Sequence, residues 1–387
     1  MIDKNHEIYK HKHICLVVDH YNPLGIVRSL GEVGILPIVI LCEKKPRLVN
    51  RSKYIGELHI FDNIEEGLEF IVENYSNEVY KPFIYNGSDN VTLLLDKNYQ
   101  TLKDKFFFTN GCGGIEKFLQ KYHITKLAES CGLTIPKEEL LKKGVLPSTL
   151  KYPIFTKAAT SASGLSWKEQ ARKCDNETEL NEFYNTLTAD EVLVQEFIDK
   201  ANELCIDGIS INQGEQIFMP YACHYHRFVP GNFGNYMYFF PFRDVELIGK
   251  IEEVIRRAKF SGIFCVEFMV SKDDQNYFLE VNFRNSGWSY AFTYGGFNLP
   301  FRWALSTLQN KLYLEDFTPV ERFDAMDEIS DFVISVLNAK QVGIIQWLRE
   351  FHRCKCSFYY NTKDKKPSLF QWWYMIKGYI VKKIMKS

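Results

Sequence analysis

Phe264-Cys-Val-Glu-Phe-Met-Val270 and Tyr277-Phe-Leu-Glu-Val-Asn-Phe-Arg-Asn285 are the two stretches whose reading decides the fold. Both are apolar runs of strand composition. The polar Ser271-Lys-Asp-Asp-Gln-Asn276 between them reads as a turn, so the pair is expected to form a hairpin. Each run carries one acid among apolar neighbours, Glu267 and Glu280. Carboxylates in such surroundings are rarely buried without a partner or a metal. Side chains two apart on a strand share a face, which aligns Glu280, Asn282 and Arg284, with Glu267 able to meet them across the pair. Two carboxylates and an amide oxygen are hard donors that suit Mg²⁺ bound to phosphates. Arg284 on the same face can stabilise charge on a transferring phosphoryl group. The bland alternative is a pair of edge-strand acids with surface ion pairs.

Upstream, His13–Val18 reads as a buried strand, Asp19–Gly25 as a turn, Ile26–Val33 as a helix stopped by Gly34, and Leu36–Leu41 as a second strand. Leu58–Phe61 and Pro82–Tyr85 add strands around a helix over Glu65–Tyr75. Residues 1–112 are therefore expected to form an open parallel α/β domain. Ligands in such sheets sit at the carboxyl ends of the strands. The loops Asn22–Gly25 and Asn86–Asp89 lie at such ends, as binding loops or as plain turns. A helix follows to Gly132. From Tyr152 the pattern becomes α+β, with strands at Pro153–Lys157, Glu191–Ile198, Glu203–Asn212, Gly262–Val270 and Tyr277–Asn282, and helices at Thr178–Thr188 and Val245–Phe260. Residues 311–387 read as mainly helical.

Leu279-Glu-Val-Asn-Phe-Arg284 resembles the metal-binding strand of the ATP-grasp superfamily, whose usual form is acid-X-Asn-Pro-Arg; Phe283 replaces the proline. Other segments resemble that family in its order across about residues 113–305. In Gln120–Pro136 the family's ATP lysine precedes the helix-ending glycine by eleven residues, the spacing of Lys121 before Gly132, with Lys126 as rival. Lys157 resembles the second ATP lysine. The Ala158–Gly164 stretch, with Ser161 and Ser163, stands where the family has a phosphate loop. Gln195, Glu196, Phe197 and Ile198 resemble the hinge that reads adenine, and Glu203 the acid that holds ribose or assists the metal. The resemblance implies an ATP-grasp domain over residues 113–310, with a small nucleotide-covering subdomain at about 150–200, and a basic helical tail over 311–387. The N-terminal stretches Pro23–Gly31 and Tyr85–Asp89 look most like predicted ATP-dependent carboligases of the D-aspartate ligase or carbamoyl-phosphate-synthase-like type.

What the resemblance implies is a carboxylate–amine ligase using ATP and Mg²⁺, with Mn²⁺ as the alternative ion. Glu267, Glu280 and Asn282 would hold the metal, and Arg284 would be catalytic. For the small-molecule substrates, Asp89, His226 and Arg227 are candidates, since Arg binds carboxylates bidentately. The alternative is a non-catalytic nucleotide-binding or membrane-associated assembly protein on the same fold. A Rossmann-type oxidoreductase is disfavoured because the first turn lacks G-x-G-x-x-G.

The 387 residues carry 47 Lys plus Arg and 48 Asp plus Glu, a formal net charge of -1, with 46% hydrophobic residues. That excludes a disordered or collagenous chain and argues against a whole-chain nucleic-acid binder. The ten cysteines are scattered, and Cys354-Lys-Cys356 lacks the second pair a zinc site needs. A reduced cytoplasm is the expectation. The charge is uneven: residues 352–387 hold nine basic residues and one acid, net +8, leaving -9 on the rest. Leu369, Trp372, Trp373, Ile376, Ile380 and Ile384 recur at helical spacing there. Such a helix docks on the protein's own acidic body or lies on an anionic membrane surface, the inner membrane face if so. Oligomerisation stays open.

Overall fold

The computed structural model describes residues 6–159, 171–229 and 234–384, and side chains as far as residue 377. Ser161, Ser163 and most of the expected phosphate loop lie outside the described residues.

Three sheets organise the chain. The first is parallel, with order β3-β2-β1-β4-β5, from β1 (His13–Val17), β2 (Ile38–Cys42), β3 (Glu57–Phe61), β4 (Phe83–Tyr85) and β5 (Phe107–Phe108). Its central strands β1 and β2, HICLV and IVILC, are buried at every position, as strands covered on both faces must be. The second sheet has β6 (Glu138–Lys142), β7 (Ile154–Ala158), β8 (Ala171–Cys174) and β9 (Glu191–Glu196) in the order β6-β9-β7-β8. It has a small core of its own, around Ile154, Leu180, Phe183 and Val194.

The third sheet is the platform for the site. It runs β14-β13-β10-β11-β12-β15-β16, from β10 (Lys200–Ile211), β11 (Gln216–Tyr225), β12 (Tyr236–Pro241), β13 (Gly262–Ser271), β14 (Asn276–Asn282), β15 (Phe323–Met326) and β16 (Cys356–Ser357). The expected hairpin is β13–β14. The strands β15 and β16 show that the C-terminal region, read from sequence as mainly helical, also extends this sheet at its far edge. One apolar core joins the first and third sheets, running from Leu24 and Tyr85 through Trp303 to Ile209 and Phe239.

The segment read as a turn at Asp19–Gly25 is mostly helix: the first helix spans Tyr21–Glu32. The His20 side chain accepts a hydrogen bond from the Asn22 N–H and caps it, and Pro23 sits in the first turn, where no backbone N–H is needed. The helix ends before Gly34, whose φ is +88°. Gly25 serves packing, since a Cβ there would lie 3.0 Å from the Cβ of Tyr290.

Arg28 in that helix is fully buried. Its guanidinium pairs with Asp364 at 3.0 Å and donates to the carbonyls of Phe358, Tyr359 and Asp364. Asp364 also accepts from the Ser52 hydroxyl and the Lys53 N–H. The first helix and the C-terminal region are thus locked by one charge pair whose hydrogen bonds are satisfied.

Candidate active site

Register brings the two acids together: Glu267 on β13 is directly opposite Glu280 on β14. A β-bulge follows, because Glu267 pairs with Glu280 while the next residue, Phe268, pairs with Phe278. The extra residue on β14 breaks strict alternation. It lets Phe278 turn into the core with Val281 and Phe283 while Glu280 stays on the face of Glu267. On the same face β10 contributes Asp207 and Cys205, which pair with Cys265 and Glu267.

Asn282 lies between the acids and the cation. Its Nδ2 donates to Glu267 Oε1 at 2.8 Å and to Glu280 Oε1 at 3.2 Å. Its amide oxygen, the atom expected at a metal, instead accepts from Arg284 Nη2 at 2.8 Å. Arg284 Nε reaches Asp89 Oδ1 at 3.0 Å, so the N-terminal loop contributes directly to this row. Phe283, in the proline's place, is buried against Phe260.

Electrostatically the row is unbalanced. Burial, Glu280 and Glu203 push the Glu267 carboxyl well above the usual carboxylate range, only partly opposed by Arg284. Like charges directly opposite on paired strands repel. Burial and the neighbouring Arg284 hold His20 down at about 4, so it is neutral beside the site. Burial raises Asp207 to about 6, where it accepts from the Ser286 hydroxyl and from Trp288 Nε1.

The two expected lysines both lie within electrostatic reach of Glu280. Lys121 opens the helix Lys121–Ser130, and Gly132 beyond it has φ +82°. Lys157 lies on β7. Burial lowers Lys121, with Glu280 opposing; burial and Lys121 lower Lys157 to about 8, with Glu280 and Glu138 opposing. Lys126, the rival, is instead paired with Glu129 at 3.0 Å and Glu138 at 3.8 Å.

Glu138 is a member that the sequence reading missed. It faces Gln195 across β6 and β9, and its carboxylate accepts from Gln195 Nε2 at 2.8 Å and Thr125 Oγ1 at 2.7 Å. The one signal available was an acid pair, Glu138-Glu139, directly before Leu140-Leu141. In the expected hinge, the Gln195 and Glu196 side chains are both engaged internally, Glu196 by the Lys137 N–H at 2.8 Å. Phe197 is exposed under Lys173, and Ile198 is half-buried. Glu203, at the start of β10, pairs with Lys200 at 2.7 Å.

His226 and Arg227 do not form the anion site expected of them. Arg227 is clamped by Asp331 and by Glu350, the latter at 2.6 Å, and His226 Nε2 contacts Asp324 at 3.0 Å. A guanidinium already held by two carboxylates has no fork left for a substrate.

A cleft of about 760 Å³ opens beside the row, lined by Asn22, Asp89, Glu203, Arg284, Trp288 and Asp327 among others. Glu267 and Glu280 also line it, whereas the two lysines do not. Its wall is fixed by Asn22, whose Nδ2 donates to the carbonyls of Gly87 and Asn285 at 2.9 and 2.7 Å. The acid pair therefore stands where a lysine group and an acidic cleft meet. Among the described residues no cluster of three or more His, Cys, Asp or Glu could hold a metal ion alone.

No protein-family model matches the sequence, and no curated protein is significantly similar. Solved structures do match. The L-amino acid ligase of Bacillus licheniformis superposes with TM-score 0.63 at 13% identity, covering 81% of this chain and 79% of that one. The fold is ATP-grasp. The N5-carboxyaminoimidazole synthetase of Staphylococcus aureus gives TM-score 0.65 at 14% identity over 85% of this chain and 86% of that one. Biotin carboxylase of Campylobacter jejuni, solved as a beta-gamma-ATP complex, gives 0.63 at 13% over 81% of this chain and 74% of that one. At such identities the match is one of ATP-grasp architecture: an N-terminal parallel sheet, a small four-stranded sheet and a large, mostly antiparallel one.

Proposed function

We propose that this chain is an ATP- and Mg²⁺-dependent ligase that activates a carboxylate as an acyl phosphate for attack by an amine. One observation supports the reading: Glu267, Glu280 and Arg284 line one cleft on an ATP-grasp fold, with Asn282 hydrogen-bonded to all three and Lys121 and Lys157 close enough to Glu280 to feel its charge. The donor set fits a hard cation. Two opposed carboxylates, one of them buried, are unfavourable without one. Their number also suits Mg²⁺, which takes few protein ligands and fills its shell with phosphate and water. Asn282 would join by turning its amide oxygen toward the acids. When bound, the ion supplies charge neutralisation at the phosphates.

The chain's own residues then divide the work. Lys121 and Lys157 hold the polyphosphate, the four-stranded sheet covers the nucleotide, and the hinge after β9 offers backbone to the base. Arg284 faces the transferring γ-phosphoryl group, stabilising its charge as the bond to ADP breaks and the bond to the carboxylate oxygen forms. The neutral amine nitrogen then attacks the acyl carbon with its lone pair, the acyl C–O bond to phosphate breaks, and inorganic phosphate leaves while the nitrogen's proton passes to that phosphate or to solvent. Five acids line the cleft, Asp89, Glu203, Glu267, Glu280 and Asp327, against Arg284 and a neutral His20.

The deciding experiment is phosphate release from Mg²⁺-ATP across paired carboxylates and amines. Substrate-dependent release is expected; no release together with no ATP-induced melting shift refutes the ligase. The lysine pair adds a pH signature. Lys157 is charged below about 8 and neutral above it, so ATP affinity should fall from pH 7 to pH 9. Lys157→Gln should weaken ATP binding at pH 7 by about tenfold or more, the size of a lost charge-assisted hydrogen bond, and flatten the profile. Titration calorimetry at the two pH values checks both.

A further inference from the structure

The helix Lys365–Ile384 is only half used by the fold. Trp372 and Met375 pack on the core shared by the first and third sheets. Phe370 and Tyr374 lie under the guanidinium groups of Arg51 and Arg47, at 4.5 and 4.3 Å. Another stripe faces solvent: Leu369 is 67% exposed, Trp373 53% and Ile376 52%, the i, i+4, i+7 spacing of one helix face. The sequence continues that spacing at Ile380.

A second helix repeats the pattern. Ile344–Arg353 buries Trp347 but leaves Ile344, Ile345 and Leu348 each more than half exposed. The two helices are neighbours, because the Phe332 ring touches Trp347 at 4.9 Å and Trp372 at 6.0 Å. Docking on the protein's own body therefore does not account for this apolar surface.

Charge identifies the occupant. The Lys365–Ile384 helix contains five lysines and no acid. Arg51 and Lys366 stand beside Leu369 and Trp373 around one shallow apolar depression. The body of the chain is net -9, which makes an unguided approach to an anionic surface unfavourable except through this region. A second copy of the helix would bring ten lysines together, a like-charge contact that opposes pairing. An exposed apolar stripe with a tryptophan, flanked by Arg51, Lys366 and Lys377, matches an anionic lipid surface. No described helix is long and apolar enough to cross a membrane.

We propose that these two helices form a peripheral docking face for anionic membranes, lying on the bilayer rather than spanning it. The test is flotation of the full chain with vesicles of phosphatidylcholine and phosphatidylglycerol, and with phosphatidylcholine alone. Binding to the anionic vesicles only, weakened by added salt, is expected. Lys365→Ser, Lys366→Ser and Lys377→Ser together should weaken it on the order of a hundredfold, at about fivefold per surface lysine. Leu369→Glu with Trp373→Glu should abolish it, with an unchanged circular-dichroism melt showing that the fold persists. Absence of flotation with anionic vesicles, or flotation indifferent to both variants, overturns the proposal. So does a concentration-dependent dimer in sedimentation, lost on Leu369→Glu with Trp373→Glu and seen without vesicle binding, which would assign the face to a second copy.

Discussion

Glu267→Gln is expected to stabilise the metal-free protein while abolishing ligase turnover. The carboxyl is pushed well above its ordinary range by burial and by Glu280 and Glu203. A group whose folded-state value is raised costs stability once the pH exceeds its unfolded value, about 4.3, and costs nothing well below it. Gln keeps the shape and removes the charge. Relief of the cross-strand repulsion should amount to about 0.2–1 kcal/mol, a rise in Tm of about 1–3 °C. The gain should be larger at pH 8 than at pH 5. Turnover should fall by about a thousandfold or more, because several kcal/mol of charge stabilisation at the phosphoryl group is lost with the ligand. Thermal melts in EDTA and phosphate release in Mg²⁺-ATP measure the two halves. A lowered Tm would make Glu267 a structural acid, and near-normal turnover would remove it from the metal.

Asp364→Ala is expected to give the largest loss of stability, about 3–5 kcal/mol, since it strands the fully buried Arg28 guanidinium without its counter-charge. Chemical denaturation should show it as a lowered midpoint at unchanged slope. Arg28→Met on that background should recover part of the loss, because two apolar groups no longer leave a charge unpaired. Additive losses in the double variant would mean that the two residues act separately.

Much of the fold was legible because its strands are apolar runs bounded by turns, and the acids stood out against them. Glu267 and Glu280 could be paired by alternation alone, although the bulge at Phe278 could not be foreseen from it. Other features were set by distant partners. Arg227 reads as an anion binder until Asp331 and Glu350, more than a hundred residues away, claim its guanidinium. Glu138 carries only a weak local mark, the acid pair with Glu139, and its place is decided by Gln195 across the sheet. Asn-Pro-Leu-Gly25 has turn composition, yet the first turn of a helix accepts proline as readily. The strand β11 escaped notice because Pro220 interrupts its apolar run, whereas Tyr236-Met-Tyr-Phe-Phe240 of β12 has strand composition and was legible but not read.

The Arg28–Asp364 pair also imposes an order on synthesis. A nascent chain emerges N-terminus first. The parallel sheet can form early, but the cation in its first helix has no counter-charge until residue 364 has been made. Fragments that stop short of that residue carry the cost of an uncompensated charge at the seam between domains. The same seam supports the helix that begins with His20 and Asn22 at the wall of the cleft. Nascent and truncated chains should therefore be open at this seam and sensitive to proteolysis there, and the site should close only once residue 364 is present.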